Sequence, residues 1–505
     1  MPVIKKSAIG PFTTAERVII TIPVLMASLL HSVNMSTAYV ALPSIQGNLS
    51  ATPDQVGWII TAFVVASAVG TVITGWLSNQ FGRRRVFLAA IFGFTITGAM
   101  CASASGLEEL VIYRILQGLV SAPLLPISQS IMLDTYPRER HGFAMSIWSM
   151  GMIMGPVLGP TVGAILTEVY NWRWVFSINV PLGIVAFIAI YVTLPEAEKR
   201  RSGLDWIGVT SLIVAVCSLQ LMLDRGQRLD WFESGEIILE AWLAALGFYI
   251  FIAHSLTARN PYVNLAIFRD RNFVVGLALI FVFGVTVFST MFILPLFLQA
   301  MQGYPVITAG WILSVRGLGT GVAMLSGGVL ADRFSAKNLI LIGIMCIGIS
   351  SVLMTRWSAE VGLNEVLFAT VLSGFGMGMM WVTLTTVTFS TLSPAFRTEA
   401  AALFALIRAI GASMGTSVIV AILVRSTQIN YIELRKHINP VTELFVPSGS
   451  PPTWDMHSTV GLMGLYKLVT NQATMIAFLN SFVFSAIIVF LAIPLVLFLR
   501  NPKKP

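Results

Sequence analysis

The sequence predicts an all-α protein that crosses a membrane many times. Three observations carry this: 56% of its 505 residues are hydrophobic, only 11% are charged, and mean hydropathy is +0.82. A soluble chain carries about 25% charged residues. Backbone inside hydrocarbon must satisfy its hydrogen bonds within its own segment, so apolar runs of this length fold as helices. The net charge of +8 would suggest nucleic acid in a soluble protein. Here the placement of the basic residues explains it, and the partner is the lipid bilayer, with no nucleic acid.

Runs of spanning length (about 20 residues) fall near 18–42, 56–78, 86–106, 109–133, 142–167, 174–194 and 205–223. They continue near 237–256, 273–298, 307–331, 338–357, 366–391, 399–424 and 475–498. The first is too long for a signal peptide and lacks a small-residue cleavage site, so it is retained. Fourteen spans put both termini on one side. With that side inside, the inner segments hold 20 of the 31 Lys and Arg residues, Arg83–Arg85 and Lys199–Arg201 among them. The outer segments hold eight, half of them in one long loop. The positive-inside rule therefore makes both termini cytoplasmic. The long loop, 425–474, is polar and carries "VPSGSPPTWD"; it reads as turns with an amphipathic part. Cys101, Cys217 and Cys346 lie in apolar runs at no metal or redox spacing and read as small core residues.

Two stretches repeat. "GWLSNQFGRRR" (75–85) follows the second run and "GGVLADRFSAK" (327–337) follows the tenth. Internal repeats mark transporter folds. They divide the chain into a six-helix bundle (1–200), two inserted helices (201–260) and a second six-helix bundle (261–505) that carries the long loop.

These two loops resemble the cytoplasmic-loop motif of the major facilitator superfamily, G-x-L-a-D-R-x-G-R-R. The resemblance implies a conformational role for Gly75, Asn79, Gly82, Arg83, Arg84, Gly328, Asp332, Arg333 and Lys337. The first copy has Asn79 in place of the acid, so its charge lock is expected to be weaker. "YRILQG" (113–118) resembles the family's R-x-x-q-G motif and puts Arg114 inside the fourth run, beside Gln117. In "GPVLGPTVGA" (155–164), Gly155, Gly159 and Gly163 give a flat packing face, and Pro156 and Pro160 kink the helix. The stretch resembles the superfamily's antiporter motif. "VALPSIQGNLSATPDQVGWIITAF", "FSINVPLG" and "LQLMLDRGQRLDWF" are similar to the fourteen-span drug:proton antiporters of the EmrB type. The resemblance runs from about residue 18 to the last span. It implies a major facilitator fold in the bacterial inner membrane, with a periplasmic adaptor and an outer-membrane channel as partners, the 425–474 loop then being periplasmic.

No acidic residue falls at the centre of a run; the intramembrane charges are Arg114, Arg316 and Arg408. In the resembled family the first span usually reads L-D-x-T…A-L-P, and its Asp is the favoured proton carrier. Counting back from Pro43, that position is Asn34 here. An amide does not titrate. His31, three residues earlier on the same helical face, is the span's only group that cycles near neutral pH. Two readings stand: His31 takes over proton binding beside Asn34 and Arg114, or it is a hydrogen-bonded packing residue. Met35, Trp58, Gln117, Gln129, Trp148, Arg316, Trp381 and Arg408 are the candidate pocket residues.

The expected function is export of amphipathic small molecules, coupled to proton influx, with the proton as coupling ion and no cofactor or metal. The alternatives are a dedicated exporter of one metabolite, fatty-acid-like or siderophore-like, and a weakly coupled facilitator or sensor. No H-E-x-x-H, G-x-S-x-G or P-loop pattern occurs, which argues against an enzyme.

Overall fold

The computed structural model describes residues 13–51, 53–137, 140–196, 205–258, 261–330, 334–393, 396–437 and 459–500. At a few helical positions, Pro156 and Pro160 among them, only the backbone is described. The described residues form helices and connecting turns, with no strand.

The first helices are α1 (Thr14–Asn48), α2 (Pro53–Phe81) and α3 (Arg83–Ser103). A capping box starts α1: the Glu16 amide donates to Thr13 Oγ1 at 3.4 Å, and the Thr13 amide donates to Glu16 Oε2 at 2.7 Å. Gly82 turns the chain between α2 and α3 at φ +90°, a conformation that side chains resist. The fourth apolar run is two helices, α4 (Leu107–Ser121) and α5 (Leu124–Thr135), interrupted at Pro123, which has no N–H to donate. Then come α6 (His141–Val169), a short α7 (Trp174–Ser177) and α8 (Asn179–Thr193).

The inserted pair is α9 (Trp206–Arg225) and α10 (Gly235–Thr257). After it follow α11 (Arg271–Ala300), α12 (Val306–Leu330), α13 (Ala336–Met354) and α14 (Leu363–Ser390). The chain ends in α15 (Arg397–Arg435), α16 (Thr459–Leu491) and the single turn α17 (Ile493–Leu497). Every predicted run coincides with one of these helices or helix pairs. Twelve described segments are long and apolar enough to cross a membrane. The helices α6 and α12, 29 and 25 residues long, are two further candidates.

One sequence expectation needs correction. The 425–474 loop is in large part helix: α15 runs on to Arg435, and α16 begins at Thr459. The "VPSGSPPTWD" stretch lies outside the described residues. At 1.5 Å per residue, the 39 residues of α15 reach about 58 Å, well past the ~30 Å of a hydrocarbon core. Its far half is held to α16 by edge-to-face Tyr431 and Tyr466 rings, 5.9 Å between centroids. A 2.7 Å bond from Asn480 Nδ2 to Ser426 Oγ joins the same pair lower down.

The inserted helices are tied into the bundle. Asp205 caps α9 by accepting from the Gly208 amide at 3.0 Å. The same carboxylate accepts from the Tyr262 amide at 3.0 Å and lies 2.8 Å from His254 Nε2. The Asn264 amide donates to Glu399 Oε1 at 2.8 Å, which joins that connector to the start of α15. At this same end, Asp134 pairs with both Arg83 and Arg397; the Arg397 bond is 2.6 Å. This one carboxylate clamps the first group of helices to the second.

Candidate functional site

Arg114 is fully buried on α4, where an unmatched charge would be costly. The fold supplies partners from three helices. Nη1 donates to Asn34 Oδ1 on α1 at 2.8 Å and to Gln117 Oε1 on its own helix at 2.7 Å. Nε donates to the Ile59 carbonyl on α2 at 3.1 Å. The guanidinium carbon stands 4.2 Å from the Phe63 ring centroid and 5.6 Å from that of Phe176. Charge-assisted bonds and ring faces together offset its desolvation. The amide at Asn34 thus occupies the place where a carboxylate would meet this cation.

The glycine stripe of α6 explains how α1 is held. A Cβ at Gly155 would overlap Ser32, one at Gly159 would overlap Ser36, and one at Gly163 would come within 3.0 Å of Thr37 Cα. Those three α1 residues flank Asn34. The 155–163 stretch is therefore the surface against which the Asn34 helix packs closely. The helix continues through Pro156 and Pro160.

Beside this network lies a cavity of about 370 Å³. Its wall comes from α1, α2, the α4–α5 break, α9, α11 and α15. His31, Met35 and Arg408 line it, as the sequence reading expected. The His31 ring sits 5.8 Å from Phe63, and its Nδ1 has no hydrogen-bond partner among the described residues. The Arg408 guanidinium lies 5.8 Å from the Phe288 ring centroid and 5.9 Å from that of Trp381.

Other expected pocket residues are elsewhere. Trp148 and Trp381 stack on each other at 6.4 Å across α6 and α14, and Trp381 Nε1 donates to Ser149 Oγ at 2.5 Å. Trp148 Nε1 in turn donates to Ser128 Oγ at 2.9 Å. These two indoles bridge the two groups of helices and do not line the cavity wall. Gln117 is taken up by Arg114, Gln129 is buried, and Trp58 packs under Arg225. Arg316 is buried on α12, with Nε and Nη1 lacking acceptors among the described residues.

The conformational-loop residues divide. Arg83 reaches Asp134, whereas Arg84 donates to the Tyr191 carbonyl at 2.6 Å. A Cβ at Gly75 would lie 3.5 Å from Glu399 Cα, so this end of α2 closes on α15. Asn79 is half-buried near the same end. In the second copy, Gly328 belongs to the last turns of α12 and Lys337 donates to the Leu497 carbonyl at 3.1 Å. Asp332 and Arg333 lie outside the described residues.

Sequence reasoning missed one residue. Asp224, the penultimate residue of α9, lines the cavity and accepts a hydrogen bond from Thr61 of α2. It stands in "LQLMLDRGQRLDWF", but a carboxylate at the end of a span reads as a helix terminus. Only the packing of α9 against α2 brings it to the cavity.

The family model of the Major Facilitator Superfamily matches residues 24–416. The chain is 31% identical over 505 residues to the multidrug export protein EmrB of Escherichia coli K12, covering 97% of each. It is equally identical, over 499 residues, to the fatty acid resistance protein FarB of Neisseria gonorrhoeae, covering 97% of this chain and 98% of that one. Among solved structures, the proton:xylose symporter XylE shares the fold at 15% identity and a TM-score of 0.61, covering 95% and 96%. The chain belongs to the Major Facilitator Superfamily and is a multi-pass transporter of the bacterial inner membrane.

Proposed function

We propose that this transporter exports amphipathic small molecules from the cytoplasm by alternating access, driven by proton influx. The observation that carries the reading is the cavity itself. It is walled by helices from both ends of the chain and is rich in Phe and aliphatic groups around His31 and Arg408. Apolar walls with few polar anchors suit varied amphiphiles. The names of the relatives, multidrug export and fatty acid resistance, support the same reading.

In this proposal six helices precede the inserted pair and six follow it, making fourteen spans with both termini cytoplasmic. The Asp134 clamp and the Trp148–Trp381 stack then close the cytoplasmic side, and the cavity belongs to an outward-facing state. His31 is the proposed proton carrier. It lines the cavity with an unpartnered ring nitrogen, while Asn34 is bound to Arg114. In inverted membrane vesicles, His31→Gln should abolish dye accumulation driven by an acid interior while downhill dye flux continues. Unchanged gradient-driven accumulation removes His31 from the coupling.

The extended α15–α16 pair supports docking of a periplasmic adaptor that leads to an outer-membrane channel. Co-purification of an adaptor encoded beside this gene, lost on deleting residues 430–465, tests that partnership. A second reading, a dedicated fatty-acid exporter, is favoured by Arg408 as a carboxylate receptor. In that case Arg408→Gln should abolish export of a long-chain fatty acid and spare that of a neutral dye.

A further inference from the structure

The cavity holds a positive group, Arg408 on α15, and a negative one, Asp224, which comes from the inserted helix α9. We propose that Asp224 is the cation-selecting residue of this site, so that the cavity takes amphipathic molecules bearing a positively charged head. This rests on the transporter reading above and names one class among its substrates.

Four observations support it. The Asp224 carboxylate lines the cavity together with Tyr39, Thr61 and Gln220. Its described partner is a neutral hydroxyl, that of Thr61, which leaves the negative charge uncompensated. The neighbouring cation is committed elsewhere: Arg225 pairs with Glu236 and stands 3.9 Å from Glu240, under the Trp58 ring at 5.1 Å. Arg228, one turn further, has a partner of its own. Asp224 enters no ion pair among the described residues.

Its place in the fold is the open mouth of the cavity, away from the Asp134 clamp. The start of α9 is bound at the end of the bundle clamped by Asp134, through Asp205, Tyr262 and the Asn264–Glu399 bond. Asp224 is at the opposite end of the helix, and it is exposed. A hydrophobic cation lodging its rings against Phe288 and Phe292, which line the same cavity, presents its charge to this carboxylate at the cavity mouth. The inserted pair thereby acquires a role: it furnishes the cavity with its acid.

Tetraphenylphosphonium and tetraphenylborate have the same shape and opposite charge, and both quench or shift tryptophan fluorescence on binding. Their binding to the full-length protein in lipid nanodiscs tests the assignment without requiring flux. Asp224→Asn should weaken tetraphenylphosphonium binding by about tenfold, the scale of one partly desolvated charge pair. Tetraphenylborate binding should hold or tighten, and Asp224→Glu should restore the cation. An equal loss of both ions would make Asp224 a mere latch between α9 and α2 and overturn the proposal. Unchanged cation binding, or a wild type that binds neither ion, would also overturn it. If Asn does not yield folded protein, the Glu variant and Thr61→Val, which frees the carboxylate, carry the same comparison. Failure of export with cation selectivity intact refutes the transport reading and leaves this one standing.

Discussion

Arg114 and Arg316 look alike in sequence: each sits inside an apolar run with a glycine soon after it, in "YRILQG" and "SVRGLG". The fold satisfies them to different degrees. Arg114 is met by acceptors on α1, α2 and α4 and by two aromatic faces. Arg114 Nη2 alone is left without an acceptor among the described residues, whereas Arg316, 6% exposed, leaves both Nε and Nη1 without one. A buried cation stabilises a fold only where neighbouring helices bring acceptors to it; otherwise its desolvation cost stands. Arg114 is accordingly a structural keystone of the first helices, and Arg316 contributes little to folding.

The largest effect belongs to Arg114→Ala. It strips Asn34, Gln117 and the Ile59 carbonyl of their shared donor, at a cost of about 3–5 kcal/mol. Melting in detergent, followed by fluorescence size-exclusion, should fall steeply or the protein should fail to accumulate. Gln117→Leu removes one acceptor and leaves two, for a loss of about 1–3 kcal/mol. Asn34→Asp goes the other way. A carboxylate on the same bond makes it charge-assisted, and the gain is about 1 kcal/mol, read as a higher melting point. Arg316→Met has the smallest effect, with melting at or slightly above wild type, because an uncompensated charge is exchanged for an apolar chain. If Arg316→Met destabilised as much as Arg114→Ala, the contrast would break.

What could be read from the sequence was what apolar periodicity and local spacing encode. The fourteen runs, the placing of Asn34 and Arg114 inside two of them, and the glycine face of 155–163 all follow from one helix at a time. Asp224 and the Trp148–Trp381 stack depend on which helices meet across the bundle, and nothing in the apolar pattern of α9 or α14 fixes that. Arg316 read as a pocket cation for the same reason: a polar residue in an apolar run announces that it needs an environment without saying which. The 425–435 and 459–474 stretches were misjudged because their polarity suggests loop. Once α15 and α16 pair, these stretches continue as helix.

The central claim is that amphipathic molecules pass through the cavity walled by α1, α2, α9, α11 and α15. Ala409, small and on that wall, is the place to block it. Inverted vesicles with an acid interior should accumulate an amphipathic dye when they carry the wild type. Vesicles with the same amount of folded Ala409→Trp should not. Equal accumulation by the two would contradict the account, because the route would then lie elsewhere.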